Sequence, residues 1–184
     1  MSSLIPSGSA SGTGSMTLAA PVTNSNQTAT LPDATGTVMV SGNMPAFSAS
    51  SNASQTLTTT TFTKVVLGVE EFDTNNNFAS SRFTPTVAGY YQINGAIYFT
   101  GSGLSYGSTR LYKNGSQYKI GSFVLLTAGT QTDYISTVAD VVYMNGSTDY
   151  VELYGYANIS AGGSIVMSSG STTTYMSGCL LRSA

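Results

Sequence analysis

Within residues 83–99, where residues 83–85 end one extended segment, the hydrophobic pattern from Tyr90 to Phe99 predicts a β-strand that is apolar on both of its faces. From Tyr90 to Phe99 the side chains alternate with the period of two that a strand requires. A strand with one face in water normally alternates apolar and polar residues. Here both faces carry apolar or aromatic groups. We therefore expect one face to fill the core of the chain and the other to be covered by further protein.

Alternation divides the side chains of this strand, and of the strands predicted over residues 150–156 and 173–181, into two sets. The set predicted to form the core is Phe83, Tyr91, Ile93, Ile97, Phe99, Val151 and Leu153. The set predicted to lie on the outer faces is Tyr90, Gln92, Tyr98, Tyr154, Tyr156 and Tyr175. If these strands are neighbours, the tyrosines form a patch of several hundred Å², roughly the limit for a monomer. A tyrosine buries its ring while its hydroxyl keeps a hydrogen-bond partner, which suits an interface.

We therefore expect this outer face to lie along the three-fold axis of a homotrimer. The alternative is that the tyrosines are scattered singly over the surface, where they need no partner.

The rest of the chain after residue 44 has the pattern of an all-β protein. We expect further strands over residues 46–49, 57–67, 66–72, 109–113, 117–120 and 134–144. No segment of useful length has the period of a helix. Strands in this number, separated by turn residues, predict an antiparallel sandwich or jelly roll.

Glycines and asparagines mark the predicted turns. Asn114-Gly115 and Asn145-Gly146 each have the sequence of a tight hairpin turn. Residues 101–107 and 160–163 are rich in glycine or serine and are predicted to be exposed loops. Gly95 follows an asparagine but lies within a strand pattern, so we interpret it as a close-approach or bulge position.

Residues 1–44 form a segment of different character from residues 45–184. Residues 1–14 are rich in serine and glycine, and short strand-like runs follow over residues 16–19, 28–31 and 37–40. Each run is too short to bury a core alone, so this β-meander is expected to be stable only when it packs on other protein. We therefore divide the chain into an N-terminal attachment segment and a head domain that begins at residue 45.

Composition excludes several classes of function. Charged residues are 8% of the chain, against about 25% in ordinary domains. The net charge of −2 and the lack of a basic patch argue against a nucleic-acid partner. No apolar run approaches the ~18 residues of a membrane helix, and we expect no signal peptide. Cys179 is the one cysteine, expected to be a small buried residue.

The residues needed for catalysis or metal binding are scarce. The chain has no histidine, so it lacks the commonest general base and zinc ligand. Glu70, Glu71 and Asp73 form an acidic cluster that we interpret as a solvated loop rather than a glycosidase pair. Asp73, Asn75 and Asn77 imitate the start of a calcium loop but lack its glycine and distal glutamate. We expect no enzyme activity, metal or cofactor.

Several motifs after residue 44 resemble those of one known family, and they occur in the same order as in that family. The segments PAFSA (residues 45–49), FDTNNNF (72–78), RFTP (82–85), VAGYY (87–91), LYKNG (111–115) and YMSGCLL (175–181) carry the resemblance. They are similar to the globular head of the recognition subunit of the first complement component, whose trimeric jelly roll is shared with tumour necrosis factor. Met176 and Cys179 stand where that family often has aromatic residues. The resemblance implies a trimeric jelly-roll head over residues 45–182.

The N-terminal segment carries a second resemblance. Residues 31–37, LPDATGT, with the Thr- and Asn-rich residues before them, resemble a segment of tailed-phage fibre and virion proteins. Together the two resemblances imply a homotrimeric bacteriophage surface protein. Its residues 1–44 would bind other virion proteins, and it would be made in the host cytoplasm and released by lysis.

The leading functional hypothesis is a short fibre whose head contacts the host surface, with a glycan as the expected ligand. The candidate contact residues, chosen because we expect their loops to be exposed, are Ser102, Tyr106 and Ser160. The main alternative is a decoration or cement trimer that stabilises the capsid. A cellular extracellular binding module is a third possibility, disfavoured by the expected lack of a signal peptide.

Overall fold

A computed structural model describes residues 11–13, 17, 22, 24–26, 28, 39–40, 42, 44–125 and 133–184. The chain divides into two units, residues 1–36 and residues 37–184. Met39 packs against the core of the second unit, and Asn75 Nδ2 donates to the Gly42 carbonyl at 3.1 Å. The boundary predicted after residue 44 therefore lies beyond the end of the first unit. The predicted meander falls largely on residues outside the described ranges.

The second unit is built from antiparallel strands, which confirms the all-β class predicted from the sequence. The strands are β1 (Ala46–Ser50), β2 (Gln55–Thr56), β3 (Thr63–Lys64), β4 (Val69–Asp73), β5 (Phe78–Ala79), β6 (Arg82–Phe83), β7 (Gly89–Lys113), β8 (Ser116–Leu125), β9 (Asp133–Met144), β10 (Val151–Met167) and β11 (Tyr175–Ser183). The described residues contain no α-helix, and so none that could cross a membrane.

The long strand β7 takes part in both layers of a sandwich. Its first half pairs with β11 and β9, and β11 continues through β1 to β4 at the edge. Its second half pairs with β10 and β8, and β10 also pairs with β2, β3 and β6. We call the first set of strands the β9 layer and the second set the β10 layer.

The core lies between the two layers and is rich in aromatic rings. Phe83 stacks on Phe47 with ring centroids 4.2 Å apart and meets the edge of Tyr91 at 5.5 Å. The seven residues predicted from alternation to form the core are each at most 1% exposed: Phe83, Tyr91, Ile93, Ile97, Phe99, Val151 and Leu153.

Gly95 shows how closely the layers approach. It lies within β7, paired with Val138 and Met176, and makes no turn. A Cβ atom at this position would lie 2.4 Å from Leu153 Cδ1 of β10. The two layers therefore approach so closely that residue 95 has no room for a side chain, and the close approach predicted from the sequence is observed.

Two Asn-Gly turns are held together at one end of the sandwich. Asn114 (φ 53°) and Gly115 (φ 77°) form the two-residue hairpin between β7 and β8, as the sequence predicts. Gly146, in the second predicted turn, has φ 72°. The Asp149 carboxylate accepts from Asn114 Nδ2 at 2.8 Å and from the Asn145 backbone N–H at 3.1 Å. This carboxylate therefore ties both turns together.

The structure corrects the prediction that residues 57–67 form a strand. Within that range only β3 is a strand, since β2 ends at Thr56. Between β2 and β3 the chain forms a turn in which the Thr61 N–H donates to the Thr58 carbonyl at 3.2 Å. Thr60 has φ 57°, and its N–H donates to Ala157 of β10 at 2.8 Å. This hydrogen bond gives the Thr60 N–H a partner within the turn, so the turn is stable although threonines favour strands.

The prediction of loops at residues 101–107 and 160–163 is also wrong. Both stretches continue long strands, with Ser102 paired with Ser164 and Tyr106 paired with Asn158. Ser160 lies in a register shift between Ile159 and Ser164 of β10.

Glycines explain how the pairing between β7 and β10 continues through these two stretches. Gly101 (φ 131°), Gly103 (φ 77°) and Gly162 (φ 79°) adopt conformations that strain other residues. They let the strands bulge without ending. Ser102, Tyr106 and Ser160 are therefore strand residues and not loop tips.

Candidate functional site

The outer face of the β9 layer is a broad surface without charged side chains at its centre. Three rows of residues cross β1, β11, β7 and β9 in register: Ala46, Cys179, Gln92 and Val141; Ser48, Ser177, Asn94 and Ala139; Ser50, Tyr175, Ala96 and Thr137. None of these twelve residues is an Asp, Glu, Lys or Arg. We call this surface the uncharged face.

Larger apolar groups lie at the two ends of the uncharged face. At one end Tyr90 pairs with Tyr143, and their ring centroids are 5.4 Å apart. At the other end Tyr98 pairs with Ile135, which is 48% exposed. Val141, within the rows, is 43% exposed. A face that exposes Tyr90, Tyr143, Ile135 and Val141 together has a composition unusual for a surface that stays in water.

Four of the six residues predicted for the trimer interface lie on this face: Tyr90, Gln92, Tyr98 and Tyr175. Cys179 lies there as well and is exposed. The expectation that it is buried is therefore wrong. Its neighbours in β11, Gly178 and Leu180, take the inward positions instead, so strand alternation turns the thiol outward.

Tyr154 and Tyr156 do not join the other four. They lie in β10, whose inward residue Leu153 contacts the position of Gly95 across the core. Their rings therefore face outward from the β10 layer, on the opposite side of the sandwich. The prediction of one patch containing all six residues is wrong for these two. Alternation fixes the face of a strand but not the layer to which the strand belongs.

The outer face of the β10 layer carries a continuous series of aromatic rings, which we call the aromatic groove. Its members come from the turn before β3, from β7, from β8 and from β10. Ring centroids are separated by 3.9 Å for Tyr154–Tyr112, 6.1 Å for Tyr112–Phe62, 4.7 Å for Phe62–Tyr156, 5.8 Å for Tyr156–Tyr106 and 5.7 Å for Tyr106–Phe123. Burial raises the pKa of Tyr112 and of Tyr154 above the ordinary value, so both stay neutral.

Arg110 lies at the middle of the aromatic groove. Its guanidinium carbon is 4.8 Å from the ring centroid of Phe62 and 5.2 Å from that of Tyr156, within the range of a cation–π interaction. Its Nε donates to Ser108 Oγ at 3.2 Å, and its Nη1 donates to Gln117 Oε1. A cavity of about 400 Å³ opens beside it, lined by Phe62, Tyr106, Arg110, Leu125, Tyr156 and Asn158.

A second cavity of about 480 Å³ lies beside a compensated group of charges. Glu152 Oε1 accepts from Lys64 Nζ at 2.7 Å and from Arg82 Nε at 2.9 Å. Burial raises the pKa of Glu152, but the hydrogen bonds from Lys64 and Arg82 outweigh it and hold the pKa below its ordinary value of 4.5. These contacts join β10 to β3 and β6, which is a structural role.

The acidic residues around β4 have partners of their own. Asp73 Oδ1 accepts from the Asn75 N–H at 3.2 Å, and its Oδ2 accepts from the Phe78 N–H at 2.6 Å. Glu71 Oε2 accepts from Ser48 Oγ at 2.8 Å. Within the described ranges, no group of three acidic, Cys or His residues is arranged to hold a metal ion. Asp73 thus closes a turn.

Sequence reasoning missed Arg110, Phe62 and Tyr112 as members of a candidate site. Alternation along residues 106–112 places Tyr106, Arg110 and Tyr112 on one face of a strand, and this was the available signal. An arginine in such a pattern normally extends into water, so the pattern alone did not indicate a cluster. Phe62 follows a run of threonines, and nothing in that run indicates that its ring meets β10.

Comparison with known proteins gives the fold. No family model matches the chain, and no curated protein matches it. A crystal structure of murine APRIL at pH 5.0 matches with a TM-score of 0.56 at 9% identity, covering 75% of this chain and 99% of that one. The globular domain of zebrafish complement 1qA protein matches with a TM-score of 0.52 at 15% identity, covering 76% and 99%.

A tumour necrosis factor from S. frugiperda, Eiger, matches with a TM-score of 0.56 at 9% identity, covering 77% of this chain and 93% of that one. Identities this low establish architecture alone. The head of this chain therefore has the antiparallel jelly-roll fold found in tumour necrosis factor and complement globular heads, as predicted.

Proposed function

We propose that this protein is a homotrimeric surface protein of a bacteriophage virion. In this proposal it is a short fibre whose jelly-roll head contacts the host cell surface. Residues 1–44 attach it to other virion proteins. The resemblance of residues 31–37 to virion proteins supports a location on the virion. The jelly-roll fold supports the proposal that the rest of the chain forms the head. The role is binding and requires no catalytic group.

The observation that carries the proposal is the uncharged face of the β9 layer. Apart from Val141, its central rows hold small or polar uncharged side chains, while Tyr90, Tyr143 and Ile135 lie at its ends, each more than 40% exposed. Small residues at the centre let another sheet approach closely, and the larger groups at the ends supply apolar area to bury. Packing against two further copies removes this surface from water, at about 25 cal/mol for each Å² buried.

Oligomeric mass tests the trimer. Sedimentation equilibrium of the whole chain should give three times the 19.0 kDa monomer mass. Val141→Lys places a charge within the rows of the uncharged face and should give a monomer, because three ammonium groups would be buried without partners. Tyr118→Lys is the matched control, since Tyr118 is exposed on β8, a strand that does not belong to the β9 layer, and should leave the trimer intact. A folded wild-type monomer at micromolar concentration would contradict the proposal.

Location on the particle tests the virion role. Antibody labelling of intact particles should mark projections on the surface. Deleting the gene should abolish adsorption while leaving the heads stable. Fragile heads with normal adsorption would instead identify a capsid decoration protein, the alternative role. Absence of the protein from purified particles would refute both.

A further inference from the structure

We propose that the aromatic groove binds an acidic saccharide, with Arg110 donating to the sugar's carboxylate and aromatic rings lying against its pyranose face. The inference rests on the proposed role of the head in contacting a cell surface. It names a site and a class of ligand for that contact. It also moves the site from the three residues predicted to lie in loops to a surface formed by β7, β10 and the turn before β3.

The first argument is the charge of Arg110. Arg110 is 8% exposed, and the ion pairs of the described residues use four of the chain's other cations, Lys64, Arg82, Lys113 and Lys119. The acceptors of its Nε and Nη1 are a neutral hydroxyl and a neutral amide. Burying a cation without a counter-ion is unfavourable. An anion in the adjoining cavity would supply the missing charge.

The second argument is the direction of the remaining donors. Nη2 of Arg110 has the Tyr106 hydroxyl as its neighbour at 3.5 Å, which is the outer limit of a hydrogen bond. Both groups line the same cavity. Nη2 and the Tyr106 hydroxyl can therefore donate together to the two oxygens of one carboxylate, a charge-assisted contact of the strong kind.

The third argument is the character of the cavity wall. The rings of Phe62 and Tyr156 lie side by side and are both partly exposed, and Asn158 adds an amide at the border. A pyranose has an apolar C–H face and a rim of hydroxyls, so it matches a wall that combines ring faces with polar groups. The volume of about 400 Å³ also falls in the usual range for small-molecule sites, about 300–1,000 Å³.

The number of cations in the groove favours an acidic saccharide over a nucleic acid. A phosphate backbone is held by several cations acting together. In the described part of the groove Arg110 is the one cation, while nearby Lys113 pairs with Asp149 at 2.9 Å and Lys119 pairs with Asp140 at 3.2 Å. A single carboxylate on a sugar ring needs one cation, and this site provides one.

Matched ligands test the inference directly. The whole protein is titrated by calorimetry with oligosaccharides of glucuronate, galacturonate and N-acetylneuraminate, each beside its neutral methyl ester. At least one acid should bind, and its ester about 10- to 100-fold more weakly, the value of one hydrogen bond to a charged group. Failure of every acid to bind, equal binding of acid and ester, or equally tight binding of an acidic peptide would each overturn the inference.

Variants then locate the site. Arg110→Gln should weaken binding of the acid about 10- to 100-fold and leave the ester unchanged, whereas Arg110→Lys should keep the preference for the acid. Tyr156→Ala should weaken both ligands. Tyr118→Ala, an exposed tyrosine of β8 outside the cavity wall, is the control and should bind as the wild type does. Unchanged affinity in Tyr156→Ala would overturn the site even if the Arg110 variants failed to fold.

The two proposals fail separately. Sedimentation of the same samples reports the trimer, and calorimetry reports the groove. A trimer that binds no acidic sugar refutes this inference and leaves the proposed function standing. A monomer that prefers acid over ester supports the groove and contradicts the trimer.

Discussion

Replacing Gly95 by alanine tests how tightly the two layers of the sandwich pack. The added methyl group would lie 2.4 Å from Leu153 Cδ1 and 3.4 Å from Leu153 Cδ2. Leu153 is 1% exposed, so its side chain has little room to move away. Gly95 lies outside the left-handed region, and an alanine there would therefore gain about 0.5–1 kcal/mol from reduced unfolded-state freedom. Overpacking costs about 1–3 kcal/mol, so we expect net destabilisation.

The same substitution should have the opposite sign when Leu153 is shortened. Leu153→Ala alone should cost about 2–5 kcal/mol, because it leaves a cavity. In that background Gly95→Ala meets no side chain at 2.4 Å, and only its gain of about 0.5–1 kcal/mol remains. The double-mutant cycle should therefore give a coupling free energy of about 1–3 kcal/mol.

The assay is urea unfolding followed by far-ultraviolet circular dichroism, since the chain has no tryptophan. Protein concentration is held constant because association contributes to apparent stability. Gly107→Ala is the control, as its added methyl would lie at an ordinary 3.4 Å from Leu104 Cδ1. It should not be destabilising. Additive effects of Gly95→Ala and Leu153→Ala would refute the packing of β7 against β10.

Two further predictions concern pH. The folded pKa of Glu152 lies below its ordinary value of 4.5, so its contribution is present above about pH 4.5 and is lost as pH falls through the folded pKa. Glu152→Gln should flatten this acid loss in melting curves, and an unchanged acid slope would contradict the role given to Lys64 and Arg82. Burial raises the pKa of Tyr91 to about 12 from 10.0, so its contribution is complete below pH 10 and is lost as pH rises toward 12. Tyr91→Phe should reduce the alkaline loss and cost about 0.5–1.5 kcal/mol at neutral pH, from the 2.7 Å hydrogen bond to the Val87 carbonyl; equal alkaline loss in the variant and the wild type would count against this.

The strands and turns with strong local signals could be predicted from the sequence. Residues 90–99 alternate, and the structure extends them as part of β7. Asn114-Gly115 supplies the two left-handed residues that its hairpin needs. In these places the local preference of the chain and its tertiary packing agree, so short-range pattern was sufficient.

Local pattern failed where tertiary contacts decide. Glycines at residues 101 and 103 are typical of a loop, but the ladder to β10 holds them in a strand. The threonines of residues 58–61 favour a strand, but the Thr60 N–H bonds to β10 from a turn. Such outcomes depend on pairing with residues distant in sequence, and the local strand preference of a residue carries no information about that pairing.

For the same reason, the sequence could not predict which outward-facing residues come together on one surface. Alternation correctly turned Tyr90 and Tyr154 away from the core, but it carried no information about which layer each strand joins. Arg110 and Phe62 are distant in sequence and meet only because the turn before β3 crosses β10. The aromatic groove was therefore invisible until the topology was known.

The passage of β7 from one layer to the other has a further consequence. One strand carries Gln92 on the uncharged face and Arg110 in the aromatic groove, yet the side chains at these places point away from opposite sides of the molecule. Substitutions in the groove therefore leave the contacts of the opposite surface untouched. Selection can vary the two surfaces separately, so a lineage of such proteins is free to exchange its ligand while its mode of assembly stays the same.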